Sequence, residues 1–309
     1  MQIIYNNGGD FKDKKTAVAL GNFDGVHIAH MSLIDKIKAI KQKDGEINSC
    51  VWTFSEHTLN ILKSDFHVPY ITAKDEKIEI LRRENIDYLI FQDFNLIRYY
   101  SPEEFIEKIL LNYLNAGVVV CGFDYRFGRG GAGCADFLQE RLARENIETV
   151  IVPPVVCEGL VVSSSFVRTL IEIGDMPRAC KFLGRPFSIK FPVLYGKQLG
   201  RKIGAPTINQ IFPTGHIVPA RGVYACTCEI PGAGEYKAVT NIGVRPTVED
   251  GDFLNAETHL IDFGGDLYGR NIKVNFHLKF RDEMKFASLD GLQEQIKRDI
   301  EFARGYDFM

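Results

Sequence analysis

Ala17-Val18-Ala19-Leu20-Gly21-Asn22-Phe23-Asp24-Gly25-Val26-His27-Ile28-Ala29-His30 is the stretch whose reading decides the fold. Its first four residues form an apolar run that reads as a buried strand, and Met31 to Ile40 after it has a helical pattern. Two histidines three residues apart therefore fall at a helix N-terminus, beside two glycines. Unpaired backbone N–H groups and the helix dipole collect anions there, so the segment suits a phosphate chain. A zinc half-site is the competing reading, but zinc takes three or four protein ligands, and no Cys or His lies close enough in sequence to complete the set. Strand, glycine turn, Asp and paired His together favour a nucleotide site over an ordinary strand-to-helix turn.

Around this segment, short apolar runs alternate with helical patterns. Strands are expected at Ala17–Leu20, Cys50–Phe54, Tyr88–Phe91, Val118–Cys121 and Val150–Val152. Ser101-Pro102-Glu103-Glu104 is a helix start with Ser as N-cap, Pro at the first position and Glu at the third. Alternation of this kind predicts a parallel sheet with right-handed crossovers, whose ligands bind at the carboxyl ends of the strands. The pattern changes near Leu183-Gly184-Arg185-Pro186. Beyond it Phe187–Tyr195, Gly222–Ile230, Tyr236–Ile242, Ala256–Phe263 and Ile272–Phe280 have strand character, separated by turns such as Pro231-Gly232. This half reads as an antiparallel barrel or sandwich, closed by an amphipathic helix carrying Leu289, Leu292, Ile296 and Ile300, with Ser288 as N-cap.

The chain has 309 residues, room for two cores, and a formal net charge of −3, which argues against binding to nucleic acid or to an anionic membrane. No apolar run reaches the roughly 18 residues that span a bilayer, and residues 1–15 lack the apolar centre of a signal peptide. The seven cysteines are scattered, with no Cys-x-x-Cys pair, so reduced thiols and a cytoplasmic location are expected.

Further polar clusters lie where ligand edges are expected. Asp124 and Arg126 follow the fourth strand in a glycine-flanked turn, and Ser163-Ser164-Ser165 precedes a helix carrying Arg168. Hydroxyls, helix N–H groups and an arginine one turn on can cradle a polyphosphate, although Ser165 could equally be an N-cap. In the second half, residues 196–204 form a glycine-spaced basic loop ahead of Ala205-Pro206-Thr207-Ile208-Asn209. Thr207 and Asn209 offer hard oxygen ligands on one side of an extended segment, a set suited to magnesium, and a Pro-containing turn explains them as well. Glu257 and His259 share a strand face, where a carboxylate can serve as a general base or simply meet solvent.

Taken in order along the chain, these segments resemble the prokaryotic bifunctional riboflavin kinase/FAD synthetase family. The blocks that carry the resemblance are Gly21–His30 (with Ala29 where the family has Gly), Gly122–Gly128, Ser163–Arg168, Gly204–Asn209, Asn241–Thr247, Gly265–Gly269 and Arg281–Phe286. The resemblance implies an N-terminal Rossmann-like nucleotidyltransferase domain over 1–184 and an antiparallel β-barrel flavokinase domain with a C-terminal helix over 185–309. It implies that riboflavin is phosphorylated to FMN and FMN adenylylated to FAD, with ATP as co-substrate and Mg²⁺ as cofactor. On this family pattern, His27, His30, Arg168 and Glu257 are catalytic. Gly21, Phe23, Asp24, Asp124, Ser164, Ser165, Gly196, Gly200, Arg201 and Gly204 contact nucleotide. Thr207 and Asn209 bind the metal, and Phe54, Arg281 and Glu283 the flavin. The alternative is a kinase alone with an impaired first domain, motivated by Ala29 and by the absence of two family prolines around His57.

Overall fold

The computed structural model describes residues 1–6, 8, 11, 14–62, 67–196, 204–245 and 253–308. The chain divides into two compact units, Met1–Ser164 and Ser165–Met309.

The first unit is built on six parallel strands, β1 (Gln2–Tyr5), β2 (Thr16–Leu20), β3 (Asn48–Phe54), β4 (Tyr88–Gln92), β5 (Ala116–Gly122) and β6 (Glu148–Val152). Their order is β1-β4-β3-β2-β5-β6. All five strands expected here are present; β1, short and at the sheet edge, was not foreseen. Because side chains alternate along a strand, each strand feeds two cores. Val18 and Leu20 of β2 face one core with Trp52, Ile90, Phe105 and Leu138, while Ala17 and Ala19 face the other with Leu33, Ile37 and Leu81. The helices on these faces include α1 (Ile28–Lys43), α3 (Lys74–Arg83) and α5 (Ala135–Ala143), with a short α2 (Thr58–Leu62) after β3. At α4 (Pro102–Phe105) the capping box forms as read, with Ser101 Oγ accepting from Glu104 N and the Glu104 carboxylate accepting from Ser101 N. The helix then continues with wider π-type turns over Ile106–Tyr113.

Strand order reverses between β2 and β5, which places the topological switch point where Gly21 and Gly122 leave the sheet.

The second unit is a curled sheet of six antiparallel strands, β7 (Phe187–Pro192), β8 (Thr207–Ile211), β9 (Gly222–Ile230), β10 (Gly234–Arg245), β11 (Phe253–Leu260) and β12 (Asn271–Arg281). The order is β7-β12-β9-β10-β11-β8. Its two edges meet just past β7, where Leu194 N donates to Asn209 O at 2.8 Å. The fully buried Gln210 reinforces this closure, its amide donating to Phe191 O at 2.7 Å and Ile272 O at 2.8 Å. Tyr224, Cys226 and Cys228 face the barrel interior, and all seven cysteines are free, as their scatter implied. The last helix, α8 (Leu289–Gly305), starts at Ser288, whose Oγ accepts from Gly291 N.

Helices α6 (Ser164–Ile173) and α7 (Met176–Leu183) were expected with the first half, below a boundary at 184. By packing they join the barrel. The turn between them brings Gly174 so close to β9 and β12 that a Cβ there would lie 2.8 Å from the Lys279 side chain, and Ala220 N donates to Ile171 O.

Candidate active sites

In the first unit the turn from β2 into α1 is held in an unusual conformation. Phe23 (φ 48°), Gly25 (80°) and Val26 (40°) all adopt left-handed backbone, which is a true outlier for a β-branched residue. Such strain is kept only where the surroundings over-determine it. Here Asn22 O accepts from Thr53 Oγ1 and from Lys77 Nζ, both at 2.9 Å. The Asp24 carboxylate accepts from Ile71 N and Thr72 N, and Asp24 O accepts from Ser164 Oγ at 2.9 Å. A Cβ at Gly21 would press on the Phe23 ring at 3.2 Å.

The turn ends with His27 as the N-cap of α1. His27 is 4% exposed and its Nδ1 accepts from His30 N at 3.3 Å, so a neutral His27 carries its proton on Nε2. The two imidazoles stack with centroids 3.6 Å apart, and Phe23 lies beneath His30. Ala29 leaves this geometry intact: its carbonyl accepts from Ser32 Oγ inside an unbroken helix. Asp124 is exposed in the turn leaving β5, on the other side of the switch point. Phe54 ends β3 in an aromatic cluster, edge-on to Trp52 and to Phe94.

The structure thus brings Gly21, His27 and His30 together, while Phe23 and Asp24 turn their side chains inward to the core and to the 71–72 backbone. Ser164 uses its hydroxyl on the turn. Ser165 and Arg168 follow on α6, which groups with the second unit, and Arg168 is buried. Lys77 was missed, because a lysine on an amphipathic helix carries no sign in sequence that it will be buried.

In the second unit, register builds the site. Asn209, Glu257 and Asn241 are paired across three strands, and Thr207, His259 and Val239 form the next such row. Paired residues and those two apart share a face, so this set lies on the outside of the barrel, opposite the buried Ile208, Gln210, Ala256 and Thr258. Helix α8 covers the face and leaves a cavity of about 270 Å³. Glu257, His259, Arg281, Glu283, Leu292 and Ile296 are among its walls. Thr207 also borders a smaller cleft of about 60 Å³, whose walls include Val193, Leu260, Phe263 and Asp266.

Around that cavity Asn255 Nδ2 donates to the Glu257 carboxylate at 3.3 Å. His259 Nδ1 lies 2.8 Å from Pro206 O, a pure acceptor, so the proton is on Nδ1. Arg281 grips Asp299 of α8 in a two-pronged bond, and Gln295 donates to the same carboxylate. Gly243 leaves room for the Glu283 carboxylate, and a Cβ at Gly196 would lie 2.5 Å from the Asn209 amide nitrogen. Gly204 has φ 77°, with open space around it. Gly200 and Arg201 lie outside the described residues. Asn241 and the α8 stripe were not foreseen as lining residues; Leu292, Ile296 and Ile300 read as ordinary packing, and Leu289 is mostly exposed.

Two family models match the chain, FAD synthetase over residues 10–166 and riboflavin kinase over 183–306. Proteins named bifunctional riboflavin kinase/FMN adenylyltransferase are similar over nearly their whole length. The one from Pseudomonas fluorescens is 35% identical over 92% of this chain and 91% of its own. The one from Bacillus subtilis (strain 168) is 33% identical over 94% and 92%. The chain belongs to the bifunctional riboflavin kinase/FMN adenylyltransferase family. With both models matched, the two-activity reading is favoured over a kinase alone. A solved structure from Streptococcus pneumoniae, described as a macrolide-efflux protein, superposes with a TM-score of 0.89 at 32% identity, covering 99% of each chain. Among the described residues of this family member, no helix is long and apolar enough to cross a membrane.

Proposed function

We propose that the chain phosphorylates riboflavin to FMN on the barrel face and adenylylates FMN to FAD at the β2–α1 turn, using ATP for both and releasing pyrophosphate in the second step. The observation that carries the kinase half is the meeting of two cavities at Thr207, one of them holding Glu257. A phosphoryl donor and an acceptor need adjoining pockets, and this reaction depends on alignment more than on covalent chemistry.

In that half Glu257 takes the proton of the ribityl hydroxyl as the γ-phosphoryl arrives. Thr207 and Asn209 supply a hydroxyl and an amide oxygen, and Gly196 leaves the space the Asn209 amide occupies, so the donor set fits Mg²⁺. Bound there, Mg²⁺ would neutralise charge on the ATP phosphates. Arg281 and Glu283 flank the flavin in this reading; Arg281 does so while held by Asp299.

In the other half the attacking FMN phosphate is already anionic, so no strong base is needed. His27, with Nε2–H as a donor, and His30 stabilise charge on the α-phosphate and the departing pyrophosphate. Gly21 lets the nucleotide approach the backbone. Asp124 faces the nucleotide, Ser164, Ser165 and Arg168 are its proposed phosphate contacts, and Phe54 the proposed flavin contact. Phe23 and Asp24 act by holding the turn. The functional boundary is placed at 184/185, and the enzyme in the cytoplasm.

Supplying either riboflavin or FMN with ATP and Mg²⁺ separates the steps. His27→Ala is expected to slow FAD formation by about 10²–10³-fold and to leave FMN formation unchanged. Glu257→Ala is expected to slow FMN formation by about 10²–10⁴-fold, while FAD still forms from supplied FMN. Equal loss of both activities in both folded variants would overturn the two-site assignment.

A further inference from the structure

A lysine is almost never fully buried without a partner, yet Lys77 on α3 is only 8% exposed. Its ammonium reaches the β2–α1 turn and donates to Asn22 O at 2.9 Å, one residue ahead of the left-handed stretch. Thr53 Oγ1 shares that oxygen, while Ile71 N, Thr72 N and Ser164 Oγ hold Asp24. Of these ties, the one from Lys77 alone brings a full positive charge, and charge-assisted bonds are roughly twice as strong as neutral ones. The turn needs such a restraint, because Phe23 and Val26 would each relax out of left-handed backbone if released.

We propose that Lys77 is a positioning residue for adenylyl transfer: its buried ammonium holds the Asn22 carbonyl, and through it the strained turn from which His27 and His30 project. The inference rests on the reading of that turn as the nucleotide site. Burial pulls the Lys77 ammonium down from 10.5 to about 8, and the Asp24 carboxylate across the turn pulls it partly back. Glu76, its neighbour on α3, is also buried, and from β3 the uncharged Thr53 shares the Asn22 carbonyl. Loss of the proton leaves a neutral amine, a weaker donor to Asn22 O. Deprotonation also relieves the burial of charge and so does not weaken the fold, and a lysine with a merely structural role would therefore give no fall in rate as its proton leaves.

The test measures FAD formation from FMN and FMN formation from riboflavin for the full chain, Lys77→Met and Lys77→Arg, between about pH 6.5 and 9.5. The single tryptophan, Trp52 on β3, reports by fluorescence whether the surrounding sheet is folded. In the unmodified chain, kcat for FAD formation is expected to fall above about pH 8. Lys77→Met should lower it by about 10–100-fold and flatten the profile. Lys77→Arg should recover part of the rate and shift the fall to higher pH. FMN formation should match in all three. A folded Lys77→Met with the original rate, or with a lower rate and an unmoved fall, would overturn the inference. Where Lys77→Met does not fold, an unmoved fall in Lys77→Arg overturns it. Absence of FAD formation by the unmodified chain would instead sink the reading of the turn, and this inference with it.

Discussion

Removing either end of the Arg281–Asp299 pair should have unequal costs. The Asp299 side chain is 5% exposed and that of Arg281 is 20%. Arg281→Ala strands this nearly buried carboxylate with Gln295 as its remaining donor among the bonds described above. Breaking a buried pair in this way costs about 3–5 kcal/mol. Asp299→Ala leaves a guanidinium that still donates to Asp282 O and can turn toward the cavity it lines, so about 1–3 kcal/mol is expected. For a unit of about 145 residues, 4 kcal/mol lowers the unfolding midpoint by about 13 °C and 2 kcal/mol by about 7 °C. Calorimetry of the full chain measures this, with Trp52 fluorescence marking which transition belongs to the first unit. The double variant should be less destabilised than the summed singles by about 2 kcal/mol. A cycle coupling near zero, or Asp299→Ala as costly as Arg281→Ala, would refute the reasoning.

Two further outcomes follow from buried polar groups. Gln210→Leu removes both amide bonds across the barrel closure and should destabilise the second unit by about 2–3 kcal/mol, read as a lower urea midpoint in far-UV dichroism. Because burial lowers Lys77 from 10.5 to about 8, the unfolded first unit holds a proton between those values that the folded one has lost. Stability should therefore rise across that window, by about 3 kcal/mol, and urea midpoints from Trp52 fluorescence should show the rise in the unmodified chain and not in Lys77→Met.

Much of this architecture was legible because its signals were local. The apolar runs of the parallel sheet, the Ser101 capping box and the Ser288 cap are short-range patterns, and they recur at the expected residues. So do Gly21, His27 and His30, since a strand, a glycine turn and a helix start fix their place without distant help. What escaped depends on tertiary partners. Strand β8 was read as an extended or turn segment, because its pairing with β11 decides it. Asp24 reads in sequence as a nucleotide contact, and nothing in the sequence announces the Ile71 and Thr72 N–H groups, 47 and 48 residues on, that its carboxylate accepts from. The stripe of α8 gave the right periodicity, but periodicity does not distinguish a wall of a cavity from a packed core.

The pairing rows on the barrel also govern how this site can change in length. Thr207 and Asn209 reach the outer face only because they occupy alternate positions opposite His259 and Glu257. One residue inserted or deleted at the head of β8 would reverse the alternation. Ile208 and Gln210 would then face the cavity, while a hydroxyl and an amide entered the core in their place. A two-residue change would preserve the faces and slide the row instead. Length variation near Pro206 is thus quantised: odd steps erase the donor set and unlock the closure together, and even steps only displace it.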